Sequence, residues 1–291
     1  MSITLKQLTV LVAVVEHEGF GAAASALGVD QSSVSHSIAA LEKVAGASLV
    51  TRASPLRPTE LGRALLPHAR TAVASTRAIE SLVSAHQQQP PTGTVRVAAS
   101  PTVSHRMLPR MLKQWTAALP GVEVRLFEGD DDELDECLSS GVVDCAILID
   151  PTTTPPGALE LLRERFCAVV RTDHPFSGLE EVGLPDLLDD PLLVSAGGCE
   201  PQIRDLHTRC GVRYEPAQRV REISTLLSMV ENDIGVAIMP SLATTLLPDT
   251  LTMVDLTPEL HRRLVLTGPL DRPWHPQVAN LVVVAATELA A

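Results

Sequence analysis

The sequence predicts an α/β chain in three parts: an N-terminal all-α winged helix-turn-helix, one long linker helix, and a two-lobed α/β region. Three observations carry this. Residues 20–43, FGAAASALGVDQSSVSHSIAALEK, read as two short helices around a tight turn. Residues 59–87 sustain one helical apolar stripe for about eight turns at 3.6 residues each. Beyond Gly93, strand-length apolar runs alternate with amphipathic ones, which implies a mainly parallel sheet covered on both faces. About 200 residues remain for that region, more than one lobe commonly holds.

The first helix starts at Leu5-Lys6-Gln7-Leu8 and ends near Glu16 to Phe20. Ala22, Ala23, Ala24 and Ala26 fill the second, Leu27 closes its apolar side, and Gly28 stands where it must stop. Glycine takes the left-handed backbone that a helix C-terminus often needs. Asp30 is placed as the N-cap of the third helix, its carboxylate accepting from free backbone N–H groups. Val34, Ile38 and Leu41 fall at i, i+4 and i+7 as one buried stripe. Gln31, Ser32, Ser33, Ser35, His36 and Ser37 occupy the other faces, short polar side chains with much to offer a base edge. A helix-turn-helix lays its second helix in the DNA major groove, although helix pairs rich in small residues also occur as plain structure. Arg52 and Arg57 flank a proline-containing loop of the kind that forms a wing, followed by Thr59.

In the long helix, Leu61, Leu65, Ala69, Ala72, Thr76, Ile79 and Val83 make the stripe, with Arg63, Arg70, Arg77 and Glu80 off it. Some 29 residues span about 43 Å, more than a small domain covers, so pairing with a second copy is the expected use. Pro67 is expected to bend it. Residues 87–93, QQQPPTG, break every pattern and read as a hinge. Strands are then predicted at 94–99, 122–127, 142–149, 166–170, 192–195, 235–239, 252–256 and 264–267. Helices are predicted at 100–115, 131–140, 201–209, 224–232 and 276–289.

The net charge is −12, but it is segregated: residues 1–90 carry seven Lys/Arg against six Asp/Glu, leaving −13 for the remainder. A near-neutral head binds phosphate weakly by charge, so affinity must rely on pairing of two heads. Seven aromatic residues are too few for a base-stacking single-strand binder. A hydrophobic fraction of 45% suits buried cores, and no N-terminal apolar run or membrane-length stretch occurs. A cytoplasmic protein without membrane association is expected. The five cysteines, Cys137, Cys145, Cys167, Cys199 and Cys210, lack C-x-x-C spacing, which argues against a zinc site or a disulfide framework. No metal or cofactor is expected. Asp130-Asp131-Asp132-Glu133 lacks cation-ligand spacing and reads as a solvated helix start.

Gly19-Phe20, Ala23-Ala24, Leu27, Val29, Gln31-Ser32, Val34-Ser35, Ile38, Leu41-Glu42, Gly46, Leu49 and Arg52 together form one spaced pattern. On these residues the N-terminal region, 5–87, resembles the DNA-binding domain of the LysR-type transcriptional regulators. The chain departs from that family at Ser32, where proline is usual, and at His36, where arginine is frequent. Losing the arginine removes a strong guanine contact. The C-terminal marks are Gly93 to Ser100, Pro120-Gly121-Val122, Gly141-x-x-Asp144, His174-Pro175 and Gly235 to Pro240. They are similar to the family's effector-binding half, itself like the periplasmic binding proteins. The resemblance implies a winged helix-turn-helix at 1–58, a linker and dimerisation helix at 59–87, a hinge at 88–93 and an effector domain at 94–291. It implies lobe I at 94–165 with 263–291, and lobe II at 166–262.

The resemblance implies double-stranded promoter DNA as a partner, read by Gln31, Ser32, Ser33, Ser35, His36, Arg52, Arg57 and Thr59. It also implies a homodimer or homotetramer, RNA polymerase as a further partner, and a small-molecule effector. The residues themselves point to a cleft. Ser100 lies at a strand's carboxyl end and a helix start, where open α/β sheets bind ligands, although it can equally serve as a cap. Thr102 and Ser104 add hydroxyls. Ser195, Gly197, Gly198 and Cys199 form the matching turn, with glycines that let a ligand approach the backbone. Glu128 and Asp150 also follow strands, as ligand groups or as solvated carboxylates, and Thr225 is carried over from the resemblance. A carboxylate-bearing metabolite is the expected effector, with an amine only if Glu200 points inward.

Two alternatives stand beside this. Cys199 and Cys210 fall where peroxide-sensing members of the family carry switching cysteines, which would make the chain a thiol-redox regulator. Glu200-Pro201 replaces the basic surroundings that lower a thiol pKa. A solute-binding or enzymatic protein with no DNA role leaves residues 1–87 unexplained. No G-x-S-x-G, H-E-x-x-H, P-loop or G-x-G-x-x-G motif occurs, so no enzyme is expected.

Overall fold

The computed structural model describes residues 2–51, 55–87 and 90–289. Arg52 of the wing and residues 88–89 of the hinge lie outside the described residues.

The N-terminal head is built from α1 (Leu5–Glu16), α2 (Phe20–Leu27) and α3 (Gln31–Ala45). Thr4 and Gln7 close a reciprocal capping box at the start of α1. Gly28 ends α2 with φ 66°, and Asp30 caps α3 by accepting from the Ser33 N–H. Leu11, Val14, Ala23, Val34, Ile38, Leu41 and Leu49 form one core. A bridge between Val50 and Pro58 closes the loop that follows α3.

Helix α4 (Glu60–His86) runs unbroken through Pro67 for 27 residues, about 40 Å at 1.5 Å per residue. Against the head it buries a face that shares Ala69 with the expected pairing stripe, and it leaves Ile79 and Val83 of that stripe open. Leu66, Ala69 and Val73 are buried, whereas Ile79 is 62% and Val83 52% exposed. Gly62 permits a close approach: a Cβ there would lie 2.0 Å from the Leu49 carbonyl oxygen, so only glycine lets the helix start press against the head. Arg70, expected off the stripe, points to the C-terminal region and donates to the Ser140 carbonyl at 3.2 Å.

That region runs β1 (Gly93–Ala99), α5 (Pro101–Arg106), α6 (Leu108–Ala118), β2 (Val122–Glu128), α7 (Asp131–Ser139), β3 (Cys145–Ile149) and β4 (Leu159–Arg171). It continues with β5 (Glu181–Gly183), α8 (Leu184–Leu187), β6 (Leu192–Ser195), α9 (Glu200–Cys210), β7 (Gln218–Val220), α10 (Ile223–Glu231) and β8 (Val236–Pro240). A 3-10 turn (Ser241–Leu246), β9 (Leu251–Thr257), β10 (His261–Thr267) and α11 (Pro276–Leu289) complete it. The strand order is β2-β1-β3-β10-β4-β8-β6-β7, with β9 beside β4 and β5 beside β9.

The 13-residue strand β4 belongs to both lobes. Up to Arg165 it pairs with β10, and from Phe166 onward with β8 and β9. The chain crosses back between β9 and β10, where the Phe166 N–H donates to the Leu260 carbonyl. The sheets are mixed rather than mainly parallel: β4 pairs antiparallel with β10, β8 and β9, and β10 with β3. A chain that crosses twice must return against its outward direction. The single helix expected at 100–115 is two, broken at Met107 ahead of Pro109, whose ring disfavours a continuous helix. Val95, Val97, Trp115, Ile147, Leu264 and Leu281 fill lobe I, while Phe166, Val170, Leu187, Ile203 and Ile238 fill lobe II.

Two guanidiniums, of Arg70 and Arg96, join the head to lobe I, and both reach Glu16 of α1. Arg96 of β1 donates to Glu16 of α1, to both Asp144 carboxylate oxygens at 3.0 Å, and to the Gly141 carbonyl at 3.2 Å.

Candidate functional site

Two places collect the candidate residues. On α3, the Asp30 carboxylate accepts from the hydroxyls of Ser32 and Ser33 and from the Ser33 N–H at 3.0 Å. These bonds, the Ser32 hydroxyl foremost, hold the Asp30 carboxyl down at about 2. Both serine hydroxyls therefore serve the cap in this conformation. Gln31, Ser35 and His36 are exposed, and His36 shares a groove with Gln7, Ala39 and Lys43. Arg57 is exposed, with its backbone paired to Thr51. Thr59 caps α4 instead of facing a groove: its hydroxyl donates to the Ser48 carbonyl at 2.7 Å and accepts from the Gly62 N–H at 3.1 Å.

The second place is a 260 Å³ cavity between the lobes. Ser100, Thr102, Glu128, Ser195, Gly197, Gly198 and Cys199 all line it. Ser104, Asp150 and Thr225 do not. Ser104 follows α5 away from the cleft, and Asp150 accepts from the Arg263 N–H at 2.8 Å. Thr225 is exposed on α10, where Ile223 and Ser224 line the cavity instead. Glu200 is turned aside, taking hydrogen bonds from Tyr214, Arg219 and Arg204 at 2.9, 2.9 and 3.0 Å.

The cavity floor is a buried ion pair that sequence reasoning missed. Arg262 of β10 and Glu164 of β4 are each 2% exposed and lie 2.7 Å apart. Arg262 also donates to the Thr102 hydroxyl at 2.9 Å and lies 3.8 Å from the Cys199 sulfur. Glu164 accepts from the Leu242 N–H at 2.7 Å and from the Ser241 hydroxyl at 3.2 Å. Ser100 and Thr102 are 4% and 5% exposed, with their oxygens 3.5 Å apart. The available signal was Arg262 at the head of a strand that continues as the apolar run Leu264-Val265-Leu266.

The acidic run starts α7 as expected, in a capping box of Asp130 and Glu133 with Asp132 exposed, but Asp130 and Asp131 face lobe II. A Cβ on Gly198, whose φ is 156°, would lie 3.0 Å from an Asp131 carboxylate oxygen, and one on Gly197 3.4 Å from the Asp130 Cβ. The two glycines thus admit α7 as much as any ligand. Arg221 of lobe II pairs with Asp130 at 3.4 Å and with Glu133. Burial pushes the Asp131 carboxyl up to about 6, against the pull of Arg262.

Burial also pushes the Cys199 thiol up to about 11; Arg262 opposes this, while Asp131 and Glu164 add to it. Cys199 and Cys210 stand at opposite ends of α9, whose 11 residues span about 16 Å. A disulfide needs Cα atoms within about 7 Å, so bonding them requires α9 to unfold.

Residues 5–63 match the family model described as bacterial regulatory helix-turn-helix protein, lysR family, and residues 88–290 match the LysR substrate binding domain. The chain is 30% identical to the uncharacterized HTH-type transcriptional regulator YvbU of Bacillus subtilis, over 91% of this chain and 92% of that protein. It is 34% identical to a probable hydrogen peroxide-inducible genes activator of Mycobacterium leprae, over 82% of this chain and 78% of that protein. Among solved structures, full-length OxyR of Pseudomonas aeruginosa (a point variant) superposes with a TM-score of 0.78 at 21% identity, covering 98% of this chain and 97% of that one.

Proposed function

This chain belongs to the LysR family of DNA-binding transcription regulators with an effector-binding domain, and we propose that a small molecule held between its lobes sets the activity of a cytoplasmic homo-oligomer on promoter DNA. The observation that carries this reading is the 260 Å³ cavity, shared between the turn after β1 and the turn after β6. A ligand there touches both lobes and so biases their closure. The exposed Ile79 and Val83 of α4 support pairing with a second copy. Gln31, Ser35, His36 and Arg57 are the described residues best placed for DNA, and RNA polymerase is the further partner of such a regulator.

The test is a footprint and a reporter assay on a promoter recovered by immunoprecipitation. Ser195→Trp, which fills the cavity, is expected to keep the footprint and abolish the response to the inducing condition. A normal response in that variant would place the effector elsewhere.

A second reading is favoured by one observation: the Cys199 thiol lines the same cavity, and relatives are named for hydrogen peroxide-inducible genes. On this reading peroxide oxidises Cys199 directly. It is distinguished by Cys199→Ser, which would then abolish induction by peroxide.

A further inference from the structure

We infer that the effector of the interlobe cavity carries a positive charge, an amine or amidine, rather than the carboxylate that the strand-to-helix turns suggest. This rests on the cavity being the effector site.

The charge follows from what each lining group already holds. Two cations line the cavity, Arg221 and Arg262. Arg262 is committed to Glu164 at 2.7 Å, and Arg221 to Asp130 and Glu133. Each already has a carboxylate that offsets its charge, so an anion gains less from either than from an unpaired guanidinium. The helix that starts at Ser100, α5, has six residues, too short to build a useful positive end. Across the cleft, α9 already carries Glu200 in its first turn.

The carboxylates are in the opposite condition. Glu128, Asp131 and Glu222 line the cavity, and among the described residues no arginine, lysine or histidine pairs with any of them. Asp131 is the least solvated of the three, half-buried beneath Gly198, while Glu128 and Glu222 are exposed. A half-buried carboxylate with no ion-pair partner carries a desolvation cost, and a ligand cation at hydrogen-bond distance offsets it. The Ser100 and Thr102 oxygens, buried beside it, can accept from an N–H group as readily as they donate.

The experiment is a titration of the full chain with two probes of equal length and opposite charge, 1,4-diaminobutane and succinate. The diamine is expected to bind at least tenfold more tightly, about 1.4 kcal/mol. Asp131→Asn is expected to weaken diamine binding about tenfold, and the diamine is expected to slow alkylation of Cys199, read by peptide mass spectrometry. Succinate binding as well as or better than the diamine, or no binding of either, overturns the charge assignment. Diamine binding that persists in Ser195→Trp and leaves Cys199 alkylation unchanged overturns the cleft as its location, which is the failure of the underlying reading and not of the charge preference.

Discussion

Replacing Asp131 by asparagine is expected to stabilise the unliganded protein while weakening its grip on a cation. Burial raises this carboxyl from 3.8 to about 6. A shift of about 2 units at ~1.4 kcal/mol each makes the buried charge unfavourable by at most ~3 kcal/mol near pH 7.5. Its place in the first turn of α7 returns about 0.3–1 kcal/mol through the helix dipole. A net gain of about 2 kcal/mol for Asp131→Asn follows. The pH dependence has a definite sign. The folded pKa lies above the unfolded one, so the penalty is complete above about pH 6. It fades as the folded state takes up a proton, falling to about a third by pH 4.5. Urea unfolding followed by tryptophan fluorescence measures this, because both tryptophans, Trp115 and Trp274, sit in lobe I with α7. A stability difference that stays constant from pH 7.5 to 4.5, or a variant less stable than the parent at pH 7.5, would refute the reasoning.

Further outcomes are expected elsewhere. Glu164→Gln strands the Arg262 charge and should cost about 3–5 kcal/mol in thermal or urea unfolding, most of it recovered in Glu164→Gln with Arg262→Met. Arg57→Ala should weaken binding to all duplexes alike and lower the salt slope by about one, whereas His36→Ala should alter base preference at one or two operator positions. A change of base preference in Arg57→Ala with the slope intact would reverse those roles. Peroxide treatment of the folded chain should give no Cys199–Cys210 disulfide in peptide mapping; its ready formation would show that α9 opens and would favour the redox reading.

The head was legible because its determinants are local. Gly28, Asp30 and the spacing of Val34, Ile38 and Leu41 act within a turn or two of themselves, and each serves in the structure as its chemistry implies. The face that α4 turns to the head was not legible, because it depends on a long-range contact, Gly62 meeting the Leu49 backbone, that the helix's own stripe does not carry. In the cleft, the two strand-to-helix turns could be read from apolar runs ending in small polar residues. Their floor could not. Arg262 and Glu164 are brought together only by pairing of β10 with β4, and each reads locally as a surface charge. The same holds for Asp131, whose acidic surroundings suggest solvent until Gly198 closes over it. Strand β4 was foreseen only from Phe166, since Glu160, Arg163, Glu164 and Arg165 mask its first half.

The Arg96 contacts have a mechanical consequence. With Glu16 of α1 held by Arg96 and Arg70, both anchored to lobe I, the head is a passenger on that lobe. Lobe II hangs from that body by two crossings, the middle of β4 and the segment between β9 and β10. Two strands side by side make a pivot, so a swing of lobe II about them leaves its own head where it was. Motion of the outer lobe becomes a torque on whatever it leans against. If copies assemble as proposed, lobe II leaning on a neighbouring chain would carry the effect of a filled cleft to that chain's head rather than to its own.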